Sequence, residues 1–242
     1  MALGYEALSD PIRRRKLAVH SVKPWIGQGP SQIEKRGGSV VEEIWIKGPQ
    51  GRIQAHWRPS AQDRSKALLL CHPHPQFGGT MNDRVLAECD DVAFGMGISS
   101  LKFNFAGVGA SEGVVGGIDA AAADVKAAAA VLDRNGGEGW WMGYSFGAVA
   151  ALSALASDVP GSKPKGVILV APALSLLPDL PVLPGNIPFF VISGTEDQFV
   201  SPETLTGYFG VSSVALIEGA DHFFSGYDEI LSKTMCRLLS GT

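Results

Sequence analysis

Gly139-Trp-Trp-Met-Gly-Tyr-Ser-Phe-Gly-Ala-Val-Ala-Ala-Leu-Ser-Ala-Leu-Ala156 decides the fold. Gly139–Met142 is apolar and short, as a buried strand is, and Phe146–Ala156 is an Ala-rich run that reads as a helix. Between them Ser145 has glycine at both i−2 and i+2. That spacing suits a sharp strand-to-helix turn, in which the serine backbone is strained and its neighbours must carry almost no side chain. A chain with 30 glycines offers G-x-S-x-G by chance. The strand directly before and the helix directly after set this match apart. Such a turn lifts the Ser145 hydroxyl to the tip of a sheet, beside the N-terminus of the helix.

Working outward, the rest of the chain repeats strand, loop and helix. Val41–Ile46 and Arg52–Trp57 flank the turn signal Gly48-Pro-Gln-Gly51 and read as an antiparallel hairpin. Ala67–Cys71, Ser99–Phe103, Gly166–Val170, Pro188–Ser193 and Ser213–Ile217 are further strands. Several are continuous apolar runs, the mark of a strand covered on both faces. Helices are expected at Asn82–Met96, Ile118–Arg134, Pro202–Tyr208 and Tyr227–Leu239. The alternation predicts an α/β protein with a mostly parallel sheet of about eight strands and helices on both faces. No insertion is long enough for a large lid, and the proline-rich Leu176–Pro188 stretch is the one segment placed to act as a cover. Ligands of such sheets bind at the C-terminal strand ends.

A serine hydroxyl needs a base, and the base an orienting acid. Asp197 lies in the loop after the Phe189–Ile192 run, and His222 in the loop after Ser213–Ile217. Ser145, Asp197 and His222 then follow one another in the nucleophile–acid–base order of α/β-hydrolases. Glu196 and Asp221 compete for the acid role. Asp197 is favoured, because Asp221 adjoins His222 and would project away from its ring. An oxyanion formed at Ser145 needs preorganised N–H donors, each worth about 3–4 kcal/mol. Phe146, next to the nucleophile, supplies one. The other belongs in the loop His72-Pro-His-Pro-Gln-Phe-Gly-Gly79. Pro73 and Pro75 have no N–H, which leaves His74, Gln76 or Phe77, with His74 favoured. His72 and His74 would share one face of an extended strand as a metal pair does. With no third ligand nearby, no metal and no cofactor is expected. Gly107-Val-Gly109 and Gly113 lack the spacing of a dinucleotide fingerprint and read as a tight loop beside the site.

Composition narrows the classes further. The chain has 242 residues, 45% of them hydrophobic, enough for one large domain. No apolar run approaches the roughly 18 residues of a membrane helix, and no secretory signal is visible. Cys71, Cys89 and Cys236 show no pairing pattern, which fits a reducing, cytoplasmic location. Residues 1–38 carry seven Lys or Arg against three acids, a balance of +4, so the remainder holds −8 of the net −4. An acidic body argues against nucleic acid as a partner. The basic 1–38 segment, with Arg13–Lys16, reads as a solvated, partly disordered extension ahead of a domain at 39–242. Its Trp25 and Ile26 are candidates for packing into a groove or across a homodimer contact.

Five stretches together resemble the compact, lidless bacterial α/β-hydrolases related to dienelactone hydrolase-like esterases. They are Gly48-Pro-Gln-Gly-Arg52, His72-Pro-His-Pro-Gln-Phe-Gly-Gly-Thr-Met-Asn82, Phe103-Asn-Phe105 with Gly107-Val-Gly109, Gly143-Tyr-Ser-Phe-Gly147, and Gly219-Ala-Asp-His-Phe-Phe224. The resemblance spans residues 41 to about 240 and implies a Ser145–His222–Asp197 triad and hydrolysis of small carboxylic esters. It departs at Ala106, where that family commonly has arginine. Thioesters, lactones or amides would use the same groups, since substrate choice lies in pocket shape. A non-catalytic binding protein on the same scaffold is the reading from another class, and the ordered triad argues against it.

Overall fold

Alternating side chains build the first two strands. β1 (Glu42–Gly48) and β2 (Gly51–Arg58) pair antiparallel from Glu42 opposite Trp57 to Gly48 opposite Gly51, around the expected Pro49-Gln50 turn. A computed structural model of the chain describes residues 41–60, 62, 66–134, 138–157 and 163–241. The 1–38 extension, its Arg13–Lys16 cluster and the Trp25–Ile26 pair lie outside the described residues.

Six further strands follow: β3 (Lys66–Cys71), β4 (Ser99–Phe103), β5 (Glu138–Tyr144), β6 (Gly166–Val170), β7 (Phe189–Gly194) and β8 (Val214–Ile217). Their order across the sheet is β1-β2-β4-β3-β5-β6-β7-β8. β2 is antiparallel to β4, and every pair from β4 onward is parallel. β3 and β5 are parallel neighbours, so their C-terminal ends lie side by side, and because the strand order reverses at β3 the helices that follow them pack on opposite faces. Ligands of open α/β sheets bind at such a point.

The helices are α1 (Arg84–Gly95), α2 (Ile118–Arg134), α3 (Phe146–Ala156), α4 (Pro202–Phe209) and α5 (Asp228–Ser240). Period-two alternation divides the core between the two faces. Ala67, Leu69 and Cys71 of β3 join the cluster under α2 and α3, while Leu68 and Leu70 join the one under α1 and α5. β6 alternates likewise, with Val167 and Leu169 toward α3 and α4, and Ile168 and Val170 toward the α5 side. α3 is buried almost all round, which explains why Ala, Val and Leu make up all but three of its residues.

Several boundaries shift by one or two residues from the sequence expectation, and two of these shifts have an evident cause. α1 begins at Arg84, not Asn82, because Asp83 caps it by accepting from the Val85 and Leu86 N–H groups. β5 continues past Met142, since Gly143 and Tyr144 stay in register with Leu169 and Val170 of β6. The segment after β6 forms one short turn at Leu174–Leu176 and no further helix before β7, so among the described residues nothing lid-sized covers the sheet. Among the described residues no helix is long and apolar enough to cross a membrane.

Candidate active site

The chain turns from β5 into α3 at Ser145, whose φ of 54° and ψ of −112° lie where L-residues are strained. Such a backbone costs about 1–3 kcal/mol and persists only where its surroundings hold it. Here the Ser145 N–H donates to the Val170 carbonyl at 2.9 Å, and its own carbonyl accepts from Ala148 N–H at 3.1 Å. The two flanking glycines are required by close approach. A Cβ on Gly143 would stand 2.4 Å from the Gly147 carbonyl oxygen, and one on Gly147 would stand 2.2 Å from that of Cys71. α3 therefore starts hard against the end of β3.

Asp197 and His222 come from the loops after β7 and β8. His222 Nε2 lies 2.9 Å from Ser145 Oγ, and His222 Nδ1 lies 2.9 Å from Asp197 Oδ2 and 3.1 Å from Oδ1. All three are buried, at 8% (Ser145), 8% (Asp197) and 4% (His222) exposure. Asp197 Oδ1 accepts from the N–H groups of Phe199 at 2.8 Å and Val200 at 3.3 Å, and Oδ2 accepts from the Ser193 hydroxyl at 3.4 Å. These donors offset the desolvation of a buried carboxylate. The competing acids stand apart from the ring. Glu196 is exposed, and Asp221 uses Oδ1 to cap its own turn at Phe223 N–H and Ser225 N–H.

The two loops are stapled to each other. Gly219 N–H donates to Thr195 Oγ1, Glu196 N–H to the Ala220 carbonyl, and His222 N–H to Gln198 Oε1. Gly194 admits this contact, since a Cβ there would stand 1.9 Å from the Ala220 oxygen. From the other side the Tyr144 hydroxyl donates to the His222 carbonyl at 3.1 Å, and the Arg84 guanidinium donates to the next carbonyl, that of Phe223. Arg84 also pairs with Asp228 at the start of α5.

The loop after β3 lies against the same turn. His74 packs edge-on to Phe146, ring centroids 4.7 Å apart. Of the three amides considered for this loop, Gln76 N–H donates to His74 Nδ1 and Phe77 N–H to the His74 carbonyl. Among the described residues the N–H groups of His74 and Phe146 have no acceptor. The loop is pinned from β4 onward: Met81 N–H donates to Asn104 Oδ1, and Phe105 N–H donates to His72 Nε2. Asn104 in turn reaches Gln54 Oε1 through Nδ2.

His72 is wholly buried, and its Nδ1 lies 2.7 Å from the Pro73 carbonyl, so both ring nitrogens serve the backbone. Burial lowers its pKa to about 4. Among the described residues no group of three or more His, Cys, Asp or Glu stands close enough to hold a metal ion. Ala106 is buried, and its N–H donates to Asp124 Oδ2 at 2.9 Å. Among the described residues Asp124 Oδ1 has no partner, and a cavity of about 10 Å³, room for roughly one water, is lined by Ala106, Asp124, Phe105 and Phe146.

Sequence reasoning did not single out Tyr144, Arg84, Asn104, Phe199 or Phe223. Phe199 and Phe223 surround the His222 ring and are half exposed. An aromatic within two residues of a loop acid or base, beyond the end of its strand, is the available signal for those two.

No protein-family profile matches the chain. Among curated proteins, an uncharacterized protein of Rickettsia prowazekii is 28% identical over 213 residues, covering 81% of this chain and 87% of its own. Among solved structures, a protein of unknown function from Agrobacterium tumefaciens, described as a candidate α/β-hydrolase, superposes with a TM-score of 0.72. It is 27% identical, over 83% of this chain and 97% of that one. An α/β serine hydrolase homologue from Coxiella burnetii gives a TM-score of 0.69 and 28% identity, over 82% of this chain and 97% of that one. The chain has the α/β-hydrolase fold, with an eight-stranded sheet, an antiparallel N-terminal pair and no lid.

Proposed function

We propose that this chain is a serine hydrolase that cleaves small carboxylic esters through an acyl-enzyme intermediate, in the manner of the dienelactone hydrolase-like esterases it resembles. One observation carries the reading: Asp197 Oδ2, His222 Nδ1 and Nε2, and Ser145 Oγ form a continuous relay with two links of 2.9 Å, ending on a strained turn. A buried serine held in that backbone has no structural use for the strain, which is a mark of functional sites. Likeness to a serine hydrolase homologue at 28% identity supports the same class.

In the proposed reaction His222 Nε2 takes the Ser145 Oγ proton as the oxygen attacks the ester carbonyl carbon. The carbonyl oxygen becomes an oxyanion, met by the free N–H groups of Phe146 and His74. Collapse of the intermediate breaks the ester C–O bond, and His222 hands its proton to the departing alcohol oxygen. Water then repeats the sequence on the acyl-enzyme, releasing the acid and restoring the hydroxyl. Asp197 holds Nδ1–H throughout and so fixes the tautomer that leaves Nε2 free to accept. A cytoplasmic location belongs to this reading and is supported by three cysteines that show no pairing pattern.

A fluorophosphonate probe tests the assignment directly. Wild type should gain one adduct on Ser145, found by intact mass and peptide mapping, and should hydrolyse p-nitrophenyl esters. A panel that includes acyl-CoA thioesters ranks the acyl carriers. Absence of both labelling and hydrolysis would refute the reading.

A further inference from the structure

We infer that Phe199 and Phe223 form the wall on which the alcohol portion of the ester lies, and that they select esters of aromatic alcohols. This inference rests on the serine hydrolase reading above. The two rings come from different loops, after β7 and after β8, yet meet at 6.4 Å between centroids and at 90°. Each also stands edge-on to the His222 imidazole, Phe199 at 4.6 Å and 62°, Phe223 at 5.4 Å and 86°. Single exposed apolar residues are ordinary on protein surfaces. A contiguous aromatic pair that shares a buried histidine as its third side is different, because it leaves apolar surface in water next to the reacting group.

The exposure does not come from a slack backbone. Phe199 N–H is held by Asp197 Oδ1 at 2.8 Å and Phe223 N–H by Asp221 Oδ1 at 3.0 Å. The Phe223 carbonyl is held by Arg84. The chain is fixed while rings 52% (Phe199) and 50% (Phe223) exposed are left facing solvent. Preorganised aromatic surface of this kind loses little entropy when a ligand covers it.

The chemistry says which part of the ligand that is. His222 Nε2 receives the serine proton and must deliver it to the leaving oxygen, so the alcohol departs beside the imidazole. The acyl group stays on Ser145, and the oxyanion faces the amides of Phe146 and His74, the latter packed on the exposed Phe77 at 5.2 Å. Rings packed on the imidazole therefore touch the alcohol. Arg84, the cation of this corner, is engaged by Asp228 and by the Phe223 carbonyl. The wall thus offers aromatic faces and edges to an uncharged group, and an aryl ring makes offset or edge contacts with both at once.

The test varies the alcohol at constant acyl group, with rates expressed per site titrated by fluorophosphonate. Wild type should prefer benzyl acetate to ethyl acetate in kcat/KM. Phe199→Ala and Phe223→Ala should each lower that ratio roughly tenfold, the size of one lost aromatic contact plus its burial. The ratio of benzyl hexanoate to benzyl acetate should move less than about twofold in both, since the acyl side is elsewhere. Val211→Ser, an exposed apolar position at the opposite, N-terminal end of β8, should leave the benzyl-to-ethyl ratio at its wild-type value. An enzyme that labels and hydrolyses esters, but whose alcohol ratio is unchanged in both phenylalanine variants, overturns this inference and leaves the hydrolase reading standing. Failure to label or hydrolyse overturns both.

Discussion

The Tyr144 hydroxyl donates a 3.1 Å hydrogen bond to the carbonyl oxygen of His222. The residue that precedes Ser145 in the chain thus holds the backbone of the residue whose ring faces Ser145. Tyr144 is buried, and desolvation pushes its ionisation well above the usual tyrosine range, so it remains a donor. With Arg84 on the next carbonyl, two side chains from separate elements clamp consecutive peptide groups of the base loop. Phe224, directly after them, has a φ of 52°, a conformation the clamp helps to hold.

Tyr144→Phe removes that donor and leaves a buried carbonyl unsatisfied. We expect stability to fall by about 1–3 kcal/mol, read as a drop of roughly 2–10 °C in Tm for a domain of this size. Turnover should fall about tenfold with little change in KM, because looser placement of His222 affects the transition state more than ground-state binding. A variant with wild-type kcat would show that the bond supports only the fold.

Ser145→Ala should abolish ester hydrolysis and fluorophosphonate labelling. The change removes one oxygen and leaves the strained backbone bonds to Val170 and Ala148 in place, so Tm should stay within about 3 °C of wild type. Loss of a triad serine lowers turnover by several orders of magnitude, and a residual rate above about a tenth would contradict the role.

Much of this arrangement is legible from local pattern because its causes are local. Gly143 and Gly147 bracket Ser145 since backbone atoms of the elbow and of β3 approach within reach of any Cβ, and that demand is visible as two glycines. The apolar runs of β3 and β6 read as strands because both faces are covered. What stayed hidden depends on distant pairings. Tyr144 meets His222 across 78 positions and Arg84 meets Phe223 across 139, and neither residue carries a local mark of its partner. Phe199 and Phe223 are apolar in sequence and look like core, whereas their loops lie past the strand ends and turn the rings to solvent. β5 runs past Met142 because pairing with β6 overrides the low strand propensity of Gly143.

Asp197→Asn should reduce turnover by roughly a thousandfold or more, since an amide can hold the imidazole in the wrong tautomer. Glu196→Gln, at an exposed position, and Asp221→Asn, whose carboxylate caps its own turn, should remain within about fivefold of wild type. Steady-state kinetics on one p-nitrophenyl ester separates the three. If either of the latter lost more activity than Asp197→Asn, the orienting acid would have to be reassigned.

His72 makes stability depend on pH in a direction that follows from its burial. In the folded chain it takes up a proton only near pH 4, against an ordinary value of 6.5, because desolvation disfavours the charged ring. Protonation of Nε2 would also turn a donor against the Phe105 N–H that now donates to it. Below the ordinary value the unfolded chain binds more protons than the folded one, so this group's contribution is complete at neutral pH and shrinks as pH falls. Between pH 7 and pH 5 the loss from His72 alone amounts to about 2 kcal/mol. His72→Gln keeps an acceptor toward Phe105 and a donor toward Pro73 but cannot titrate. Urea unfolding at pH 7, 6 and 5 should therefore show wild type losing about 2 kcal/mol more than the variant over this range, whatever the variant's own starting stability. Parallel stability curves for the two proteins would mean that the buried ring is not held neutral and that the hydrogen-bond roles given to its two nitrogens are wrong.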